Sequence, residues 1–167
     1  MVPLLRSQLL ESAGFPLHGF TTRAGGVSTG PYATLNLAHN AGDDPAAVVQ
    51  NLRRLRETLV TDLPLLRVDQ VHGSRVADVG ELPPNDDPWI APPTVEADAL
   101  VDGAARGVLA VQVADCAPVL LADPASGAVG AVHAGWRGAA NGVLRNTVRA
   151  MTARSVSSAM WAWRSQR

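Results

Sequence analysis

A five-residue turn sequence, Asp-Pro-Ala-Ser-Gly at residues 123–127, separates two β-rich segments and constrains the fold more than any other part of the chain. Aspartate at the first position, proline at the second and a following glycine are typical of a type I β-turn. We therefore predict an antiparallel hairpin in which Val119–Ala122 pairs with Ala128–His133. Apolar residues at helical spacing after the hairpin predict a helix over Gly138–Met151.

The rest of the chain alternates between helical and β-rich patterns. Asp44 is a favourable N-cap before Pro45, and the apolar spacing that follows predicts an amphipathic helix over 45–60. Five prolines exclude residues 81–94 from any central strand. We predict strands at Leu17–Thr22, Leu66–Val71, Arg75–Val79, Ala97–Val101 and Val108–Val113. Together these patterns predict a fold of the α/β (α+β) class.

Composition excludes several classes of function. The 167 residues suffice for one domain with a single core, and a formal net charge of −1 provides no basic surface for nucleic acid. All fourteen basic residues are arginine, which excludes Schiff-base, pyridoxal phosphate and P-loop chemistry, since these require lysine. The single cysteine, the lack of a secretion signal and the lack of an apolar run of about 18 residues predict a cytoplasmic protein with no membrane partner.

Two potential metal ligands flank the predicted turn. Cys116 lies seven residues before Asp123 and His133 lies seven residues after Ser126, so regular antiparallel pairing around residues 123–126 would place them opposite each other. Their Cβ atoms would then be about 5 Å apart, and a bulge at Gly127 would shift the pairing by one residue. His72, in a His-Gly-Ser sequence between two predicted strands, is a candidate third ligand. Three nitrogen and sulfur ligands with a fourth position open describe a catalytic zinc site.

The same pair of residues has two other interpretations. A lone cysteine is often a small buried residue, and a lone histidine is often a hydrogen-bonded core residue. Alternatively, Cys116 is a nucleophile and His133 its general base, an arrangement that needs an aspartate or asparagine beside the histidine. Asp115 is adjacent in sequence, but on a regular strand its side chain would face away from that of Cys116.

The segment from His133 to Gly138 reads His-Ala-Gly-Trp-Arg-Gly and joins the predicted returning strand to the predicted helix. Backbone N–H groups at such a turn favour anions, and the guanidinium of Arg137 can bind phosphate with two hydrogen bonds. A solvated surface charge is the alternative for Arg137. Arg23 and Asn36 also lie beside glycine-rich turns, but their spacing alone assigns them no role.

Four groups of residues, taken in order, resemble the YfiH family. They are Thr22–Ser28 with Leu35–Leu37, Gln70–Gly73, Ala114–Val119 and His133–Gly138. Members of that family carry the labels laccase-domain protein, polyphenol oxidase and zinc-dependent purine nucleoside phosphorylase. The similarity runs from about Phe15 to Met151.

The resemblance implies a layered α/β/β/α sandwich with mixed sheets and a metal site at His72, Cys116 and His133. It also implies phosphorolysis of adenosine, inosine and methylthioadenosine, with adenosine deamination as a second activity. The catalytic and substrate-binding positions that match the family motifs are Arg23, Asn36, Asp115 and Arg137. On this basis we expect the two arginines to bind phosphate and the developing charge, and the aspartate to transfer a proton or orient a ligand.

The oxidase label implies copper, which the residues support poorly. The four histidines fall short of the roughly ten imidazole ligands that a four-copper oxidase needs. One copper ion at the His72, Cys116 and His133 trio is the remaining oxidase interpretation, but Met1, Met151 and Met160 are poorly placed as axial ligands. We therefore expect Zn²⁺ as the cofactor, with copper as the alternative, and a purine nucleoside and phosphate as the small-molecule partners.

The C-terminal part of the sequence departs from the family pattern. Family members are longer, and their Ile-Gly-Pro and Cys-Cys-Tyr segments are absent here. We therefore expect residues 1–153 to form an incomplete YfiH-like catalytic domain and residues 154–167 to be an atypical tail, produced by a frameshift or premature stop near Arg154. Trp161 and Trp163 alternate as on a strand, so an authentic edge strand is the alternative. A fragment that binds metal without turnover is accordingly an alternative to an enzyme.

Overall fold

The computed structural model describes residues 1–104 and 106–164, and it describes side chains as far as residue 153 except at 105. The chain forms two compact units. The first comprises Met1–Asp62 and Asp87–Pro92, and the second comprises Leu63–Asp86 and Pro93–Arg167. The predicted α/β (α+β) class is confirmed, because helices and several parallel and antiparallel sheets occur together.

The first unit contains a two-stranded antiparallel sheet and two α-helices. Its elements are β1 (Leu4–Leu5), α1 (Gln8–Ser12), β2 (Phe20–Thr21), a 3-10 turn (Gly30–Tyr32) and α2 (Pro45–Leu59). The predicted helix over 45–60 is confirmed as α2. The side chain of Asp44 caps α2 by accepting a hydrogen bond from the N–H of Ala46, and the helix ends at Val60, which has a φ of 49°.

A buried asparagine on α2 organises the glycine-rich loop of the first unit. Asn51 is fully buried, and its Oδ1 accepts a hydrogen bond from the N–H of Val27 at 2.8 Å. Its Nδ2 donates to the hydroxyl of Ser28 and to the carbonyl oxygens of Thr34 and Asn36. One side chain on a regular helix therefore fixes several points of a loop that has little regular structure beyond its 3-10 turn.

The second unit is built on a four-stranded sheet in the order β4-β5-β8-β7. β4 and β5 are parallel, and the other neighbours are antiparallel. A separate parallel pair joins β3 to β6. The elements are β3 (Leu65–Leu66), β4 (Val76–Asp78), a 3-10 turn (Val79–Glu81), β5 (Ala99–Asp102), β6 (Val108–Leu109), β7 (Ala117–Ala122), β8 (Val129–Ala134), α3 (Trp136–Ala140) and α4 (Val143–Arg164).

Strand β5 lies at the centre of the second unit's core, and all four of its residues are buried. Successive side chains on a strand point to opposite faces. Accordingly, Ala99 packs with Val132 and Val143, whereas Leu100 packs in a different cluster that includes Val68. Because both faces of β5 are covered, the residues at its ends are held in fixed positions.

The predicted hairpin is confirmed as β7 and β8, but its predicted register is wrong. Pro118, not Cys116, lies opposite His133. The loop between the strands takes in six residues because the Asp123 carboxylate accepts hydrogen bonds within it and Gly127 adopts a left-handed φ of 75°. A turn followed by a left-handed glycine widens a hairpin loop. The pairing of His133 is therefore displaced by two residues from the predicted position.

The predicted helix over Gly138–Met151 is divided into two helices. α3 starts earlier, at Trp136, and ends at Ala140, and α4 starts at Val143 after Gly142, which has a φ of 83°. The backbone of α4 continues to Arg164, so the described part of the predicted tail is helical and does not form an edge strand. Its side chains and residues 165–167 lie outside the described part of the chain. No helix among the described residues has the length and apolar character needed to cross a bilayer.

Candidate metal centre

Three side chains from separate parts of the second unit converge. His72 lies in the turn before β4, Cys116 lies in the bend before β7, and His133 lies on β8. Their potential ligand atoms all lie within 4.8 Å of one another, and Sγ of Cys116 is 3.9 Å from Nε2 of His72. His133 is buried, Cys116 is half-buried and His72 is exposed. The cluster therefore has an inner, protected side and an outer side that a small molecule can reach.

Cys116 reaches His133 although the two residues are not paired. His133 pairs with Pro118, and Cys116 comes two residues earlier, just outside β7. Because side chains alternate with a period of two, a displacement of two residues keeps a side chain on the same face of the sheet. Although the predicted register is wrong by two residues, the sulfur of Cys116 and the imidazole of His133 therefore lie on the same face of the sheet.

The carboxylate of Asp98 connects two of the three residues. Asp98 is fully buried just before β5, and its Oδ1 is 2.7 Å from Nδ1 of His133. The same oxygen accepts a hydrogen bond from the backbone N–H of His72 at 2.9 Å, and Oδ2 accepts one from the N–H of Gly73 at 2.6 Å. One buried carboxylate therefore contacts both the ring of His133 and the main chain that carries His72.

The turn that carries His72 is held from a second side by the helices that follow β8. Nδ2 of Asn146 donates a hydrogen bond to the carbonyl oxygen of Ser74 at 3.0 Å. A Cβ atom at Gly138 would lie 2.4 Å from the carbonyl oxygen of Gly73, closer than real Cβ contacts occur. Glycine at 138 therefore permits α3 and the His72 turn to approach each other.

Gly135 has a similar role directly beneath the three side chains. A Cβ atom at this position would lie 3.0 Å from Cδ2 of His72 and 3.3 Å from Sγ of Cys116. Because glycine has no Cβ atom, only backbone lies on this side of the His-Cys-His cluster, and the three side chains have space to converge. The donor set of two imidazoles and one thiol is one that suits zinc in proteins.

Comparison with known proteins assigns the chain to a family. The family model described as multi-copper polyphenol oxidoreductase laccase matches residues 17–165. The chain belongs to this family. A solved structure titled as YfiH from Bacillus licheniformis is 32% identical, with a TM-score of 0.63, and covers 75% of this chain and 48% of that chain. The predicted membership of the YfiH family is thereby confirmed.

Other relatives give the same result. The Neisseria meningitidis protein NMB0706 is 42% identical, with a TM-score of 0.69, over 80% of this chain and 51% of that chain. A protein of Deinococcus radiodurans named purine nucleoside phosphorylase is 43% identical over 152 residues, or 90% of this chain and 54% of its own length. The chain therefore spans about half the length of the relatives it matches.

The surroundings of the Cys116 thiol bear on whether this YfiH-family residue is a metal ligand or a nucleophile. Burial raises the pKa of the Cys116 thiol, and the charge of Asp115, a hydrogen bond with Asp115 and the charge of Asp98 raise it further. Asp98 does supply the orienting carboxylate that a Cys–His dyad requires. A nucleophilic cysteine and a zinc ligand both act as the thiolate, so the raised pKa does not separate the two interpretations. The convergence of His72 on the sulfur favours metal coordination, because a zinc site needs a third ligand there and a Cys–His dyad does not.

The other predicted residues of the second unit lie near cluster residues in the sequence, Asp115 directly before Cys116 and Arg137 four residues after His133. Asp115 is exposed, and it lies in the bend that carries Cys116 and not on a regular strand. Arg137 is exposed on α3, with its guanidinium carbon 5.2 Å from the centroid of the Trp136 ring. Among the described residues no carboxylate forms an ion pair with Arg137. The roles predicted for both residues stay predictions.

The two predicted residues of the first unit are held by their own loop. Nε of Arg23 donates a hydrogen bond to the carbonyl oxygen of Ala33 at 2.7 Å, and the side chain is exposed. The amide of Asn36 donates to the Asp43 carboxylate and accepts from the N–H of Ala38. The structure thus shows how each side chain is anchored, and their contacts with a substrate stay predictions.

Two positions that shape the cluster were not predicted from the sequence. Asp98 leads into the otherwise apolar start of β5, and a lone acidic residue beside a buried strand is the signal that could have indicated it. Gln70 exchanges hydrogen bonds with the main chain of Gln112 through both ends of its amide, each at 2.7 Å. These bonds replace strand pairing beyond β3 and β6, which explains why the predicted strands Leu66–Val71 and Val108–Val113 are short.

We predict that Gly138→Ala destabilises the second unit and displaces the His72 turn. The added methyl group would overlap the carbonyl oxygen of Gly73, and such overpacking costs about 1–3 kcal/mol. Urea unfolding measures this cost, and zinc titration measures the effect on the cluster. The neighbouring exposed residue provides the control, since Ala139→Ser should leave both unchanged. Equal unfolding midpoints for Gly138→Ala and the unsubstituted chain would contradict the steric argument.

Proposed function

We propose that this chain is a zinc-dependent purine nucleoside phosphorylase acting on adenosine, inosine and methylthioadenosine, with adenosine deamination as a second activity. The observation that carries the proposal is the convergence of His72, Cys116 and His133 within 4.8 Å, with one side of the cluster exposed. Relatives named purine nucleoside phosphorylase from Deinococcus radiodurans and Streptomyces griseus support the reaction class.

His72, Cys116 and His133 are the residues proposed to hold zinc. When bound by three nitrogen and sulfur ligands, zinc supplies a Lewis acid with a further position for an oxygen atom. The protein's own contribution is to fix the donors before the ion arrives. Asp98 orients His133, and Gly135 leaves space beneath the three side chains.

The exposed guanidinium of Arg137 is proposed to bind the phosphate that attacks the ribose. Two parallel N–H groups of a guanidinium can donate hydrogen bonds to two oxygens of one phosphate. Arg137 lies four residues after His133 in the sequence. A bond then forms between a phosphate oxygen and C1′ while the bond between C1′ and the purine nitrogen breaks. The bonding pair leaves with the nitrogen, so the base must gain a proton.

Asp115 is proposed to pass that proton from solvent to the departing base. Its carboxyl group is exposed and lies in the bend that carries Cys116, directly before that residue. Such proton transfer contributes about 10²–10⁴-fold to rates. Arg23 and Asn36 are proposed to bind substrate on the strength of the matching family motifs alone.

A copper-dependent phenol oxidase is the alternative that the family description favours. The chain's four histidines are too few for four copper ions of the laccase type, which need about ten imidazoles. A single copper held by two histidines and a cysteine usually has an axial methionine. Met151, however, is buried in a core cluster with Val101 and Ala128. These observations rank the oxidase below the phosphorylase.

A metal-binding chain without turnover is the second alternative. It is favoured by one observation, namely that the chain spans about half the length of its curated relatives, 54% for the Deinococcus radiodurans protein. The cluster itself lies within the matched part. Metal binding and turnover must therefore be measured separately.

We predict that purified protein containing zinc converts inosine and phosphate to hypoxanthine and ribose 1-phosphate, and that Cys116→Ala abolishes both zinc retention and product. Metal content is measured by elemental analysis and product by chromatography. Leu144→Ala, an exposed substitution on α4, is the matched control and should retain both. Stoichiometric zinc without product would support the inert chain, and phenol oxidation only after copper loading would support the oxidase.

We predict that Arg137→Ala raises the KM for phosphate by about tenfold or more while changing the KM for inosine little. A hydrogen bond to a charged group contributes about 1.5–3 kcal/mol, which corresponds to that factor. Arg149→Ala, which removes an exposed arginine from α4, is the control for net charge. Equal effects of the two substitutions on the phosphate KM would contradict a specific role for Arg137.

A further inference from the structure

We propose that Asp98 is a positioning residue that prepares two of the three metal ligands at once, by fixing the ring of His133 and the backbone of His72. The inference rests on the metal centre of the proposed function and deepens it. Asp98 lies outside the family motifs described above, and no sequence motif indicates a role for it.

Both carboxylate oxygens of Asp98 form hydrogen bonds with residues of the cluster or of the turn that carries His72. Oδ1 is 2.7 Å from Nδ1 of His133 and 2.9 Å from the backbone nitrogen of His72. Oδ2 is 2.6 Å from the backbone nitrogen of Gly73. The main chain adds a further connection, since the carbonyl oxygen of Asp98 accepts a hydrogen bond from the N–H of His133 at 2.8 Å.

The hydrogen bonds of Asp98 determine which nitrogen of His133 carries the hydrogen. Backbone N–H groups can only donate, so both carboxylate oxygens of Asp98 act as acceptors towards His72 and Gly73. An acceptor at Oδ1 requires a donor at Nδ1 of His133. Nε2 of His133 is then left without a hydrogen, which is the form that a metal ligand needs.

The same carboxylate holds His72 in an unfavourable backbone conformation. His72 has a φ of 60°, in the left-handed region that non-glycine residues adopt only at a cost in free energy. The two N–H groups on either side of this strained residue both donate to Asp98. Their charge-assisted hydrogen bonds offset the strain and keep the turn in the conformation that directs the imidazole towards Cys116.

A second buried aspartate, at the far end of β5, provides a matched control. Asp102 ends β5, is also fully buried, and also accepts hydrogen bonds from backbone N–H groups, those of Ala104 and Arg106. It pairs with the side chain of Arg106 and forms no hydrogen bond with His72, Cys116 or His133. Loss of either carboxylate should therefore affect folding, but only loss of Asp98 should affect the metal ligands.

Asp98→Asn is the discriminating substitution because it keeps the shape and removes one acceptor. An amide has one oxygen and one NH₂ group, whereas Asp98 meets three donors through two acceptor oxygens. In one orientation the NH₂ group faces Gly73. In the other it faces both His72 and Nδ1 of His133, and this second orientation favours the tautomer with the hydrogen on Nε2.

Two measurements test the inference on the full chain. Nitrogen NMR of the metal-free protein at pH 8 reports the His133 tautomer, and competition with a chelator reports zinc affinity. We expect the Nδ1–H tautomer in the unsubstituted chain. We expect Asp98→Asn to lower zinc affinity about 10- to 100-fold and to change the His133 signals. Asp102→Asn should leave both readouts unchanged while lowering the unfolding temperature.

The inference is overturned if the unsubstituted chain shows His133 as the Nε2–H tautomer, a result that needs no variant to fold. It is also overturned if Asp98→Asn binds zinc as tightly as the unsubstituted chain, or if Asp102→Asn weakens zinc binding equally. Failure of the unsubstituted chain to bind zinc would instead refute the metal centre of the proposed function, and the tautomer would still decide the role of Asp98.

Discussion

The second unit depends on a carboxylate buried among hydrogen-bond donors. Burying a charge is costly unless it is paired and hydrogen-bonded, and Asp98 meets this condition through one imidazole and two backbone N–H groups. The arrangement links the start of β5, the turn before β4 and the C-terminal end of β8. The hydrogen bonds that Asp98 forms in the folded protein therefore also hold His72 and His133 in position, so these two potential ligands are pre-organised.

Close backbone approach supplies the rest of the arrangement. Gly135 leaves room beneath the converging side chains, and Gly138 allows α3 to contact the carbonyl oxygen of Gly73. The two glycines of the His133–Gly138 motif therefore have a steric role, whereas its histidine and arginine have chemical roles. Cys116 completes the cluster from a bend outside β7, where the half-buried thiol has a raised pKa because of burial and neighbouring carboxylates. A cation near the sulfur would counteract those causes.

Local chemistry made much of this predictable from the sequence. The Asp44 N-cap before Pro45 fixed the start of α2, and the Asp-Pro turn at 123–127 indicated the hairpin. The residue pairing was not predictable, because the six-residue loop depends on the hydrogen bonds of Asp123 and on the conformation of Gly127. Asp98 was missed for a similar reason, since its three partners are distant in sequence and only tertiary structure brings them together. Side-chain periodicity kept Cys116 on the correct face even though the register was wrong.

The central claim is that one sulfur and two imidazole nitrogens bind a single metal ion. X-ray absorption at the zinc edge of the zinc-loaded protein tests it most directly, because the method identifies the atoms around the ion. We expect one sulfur at about 2.3 Å and two imidazole nitrogens at about 2.0–2.1 Å. A first shell composed only of oxygen and nitrogen, without sulfur, would contradict it.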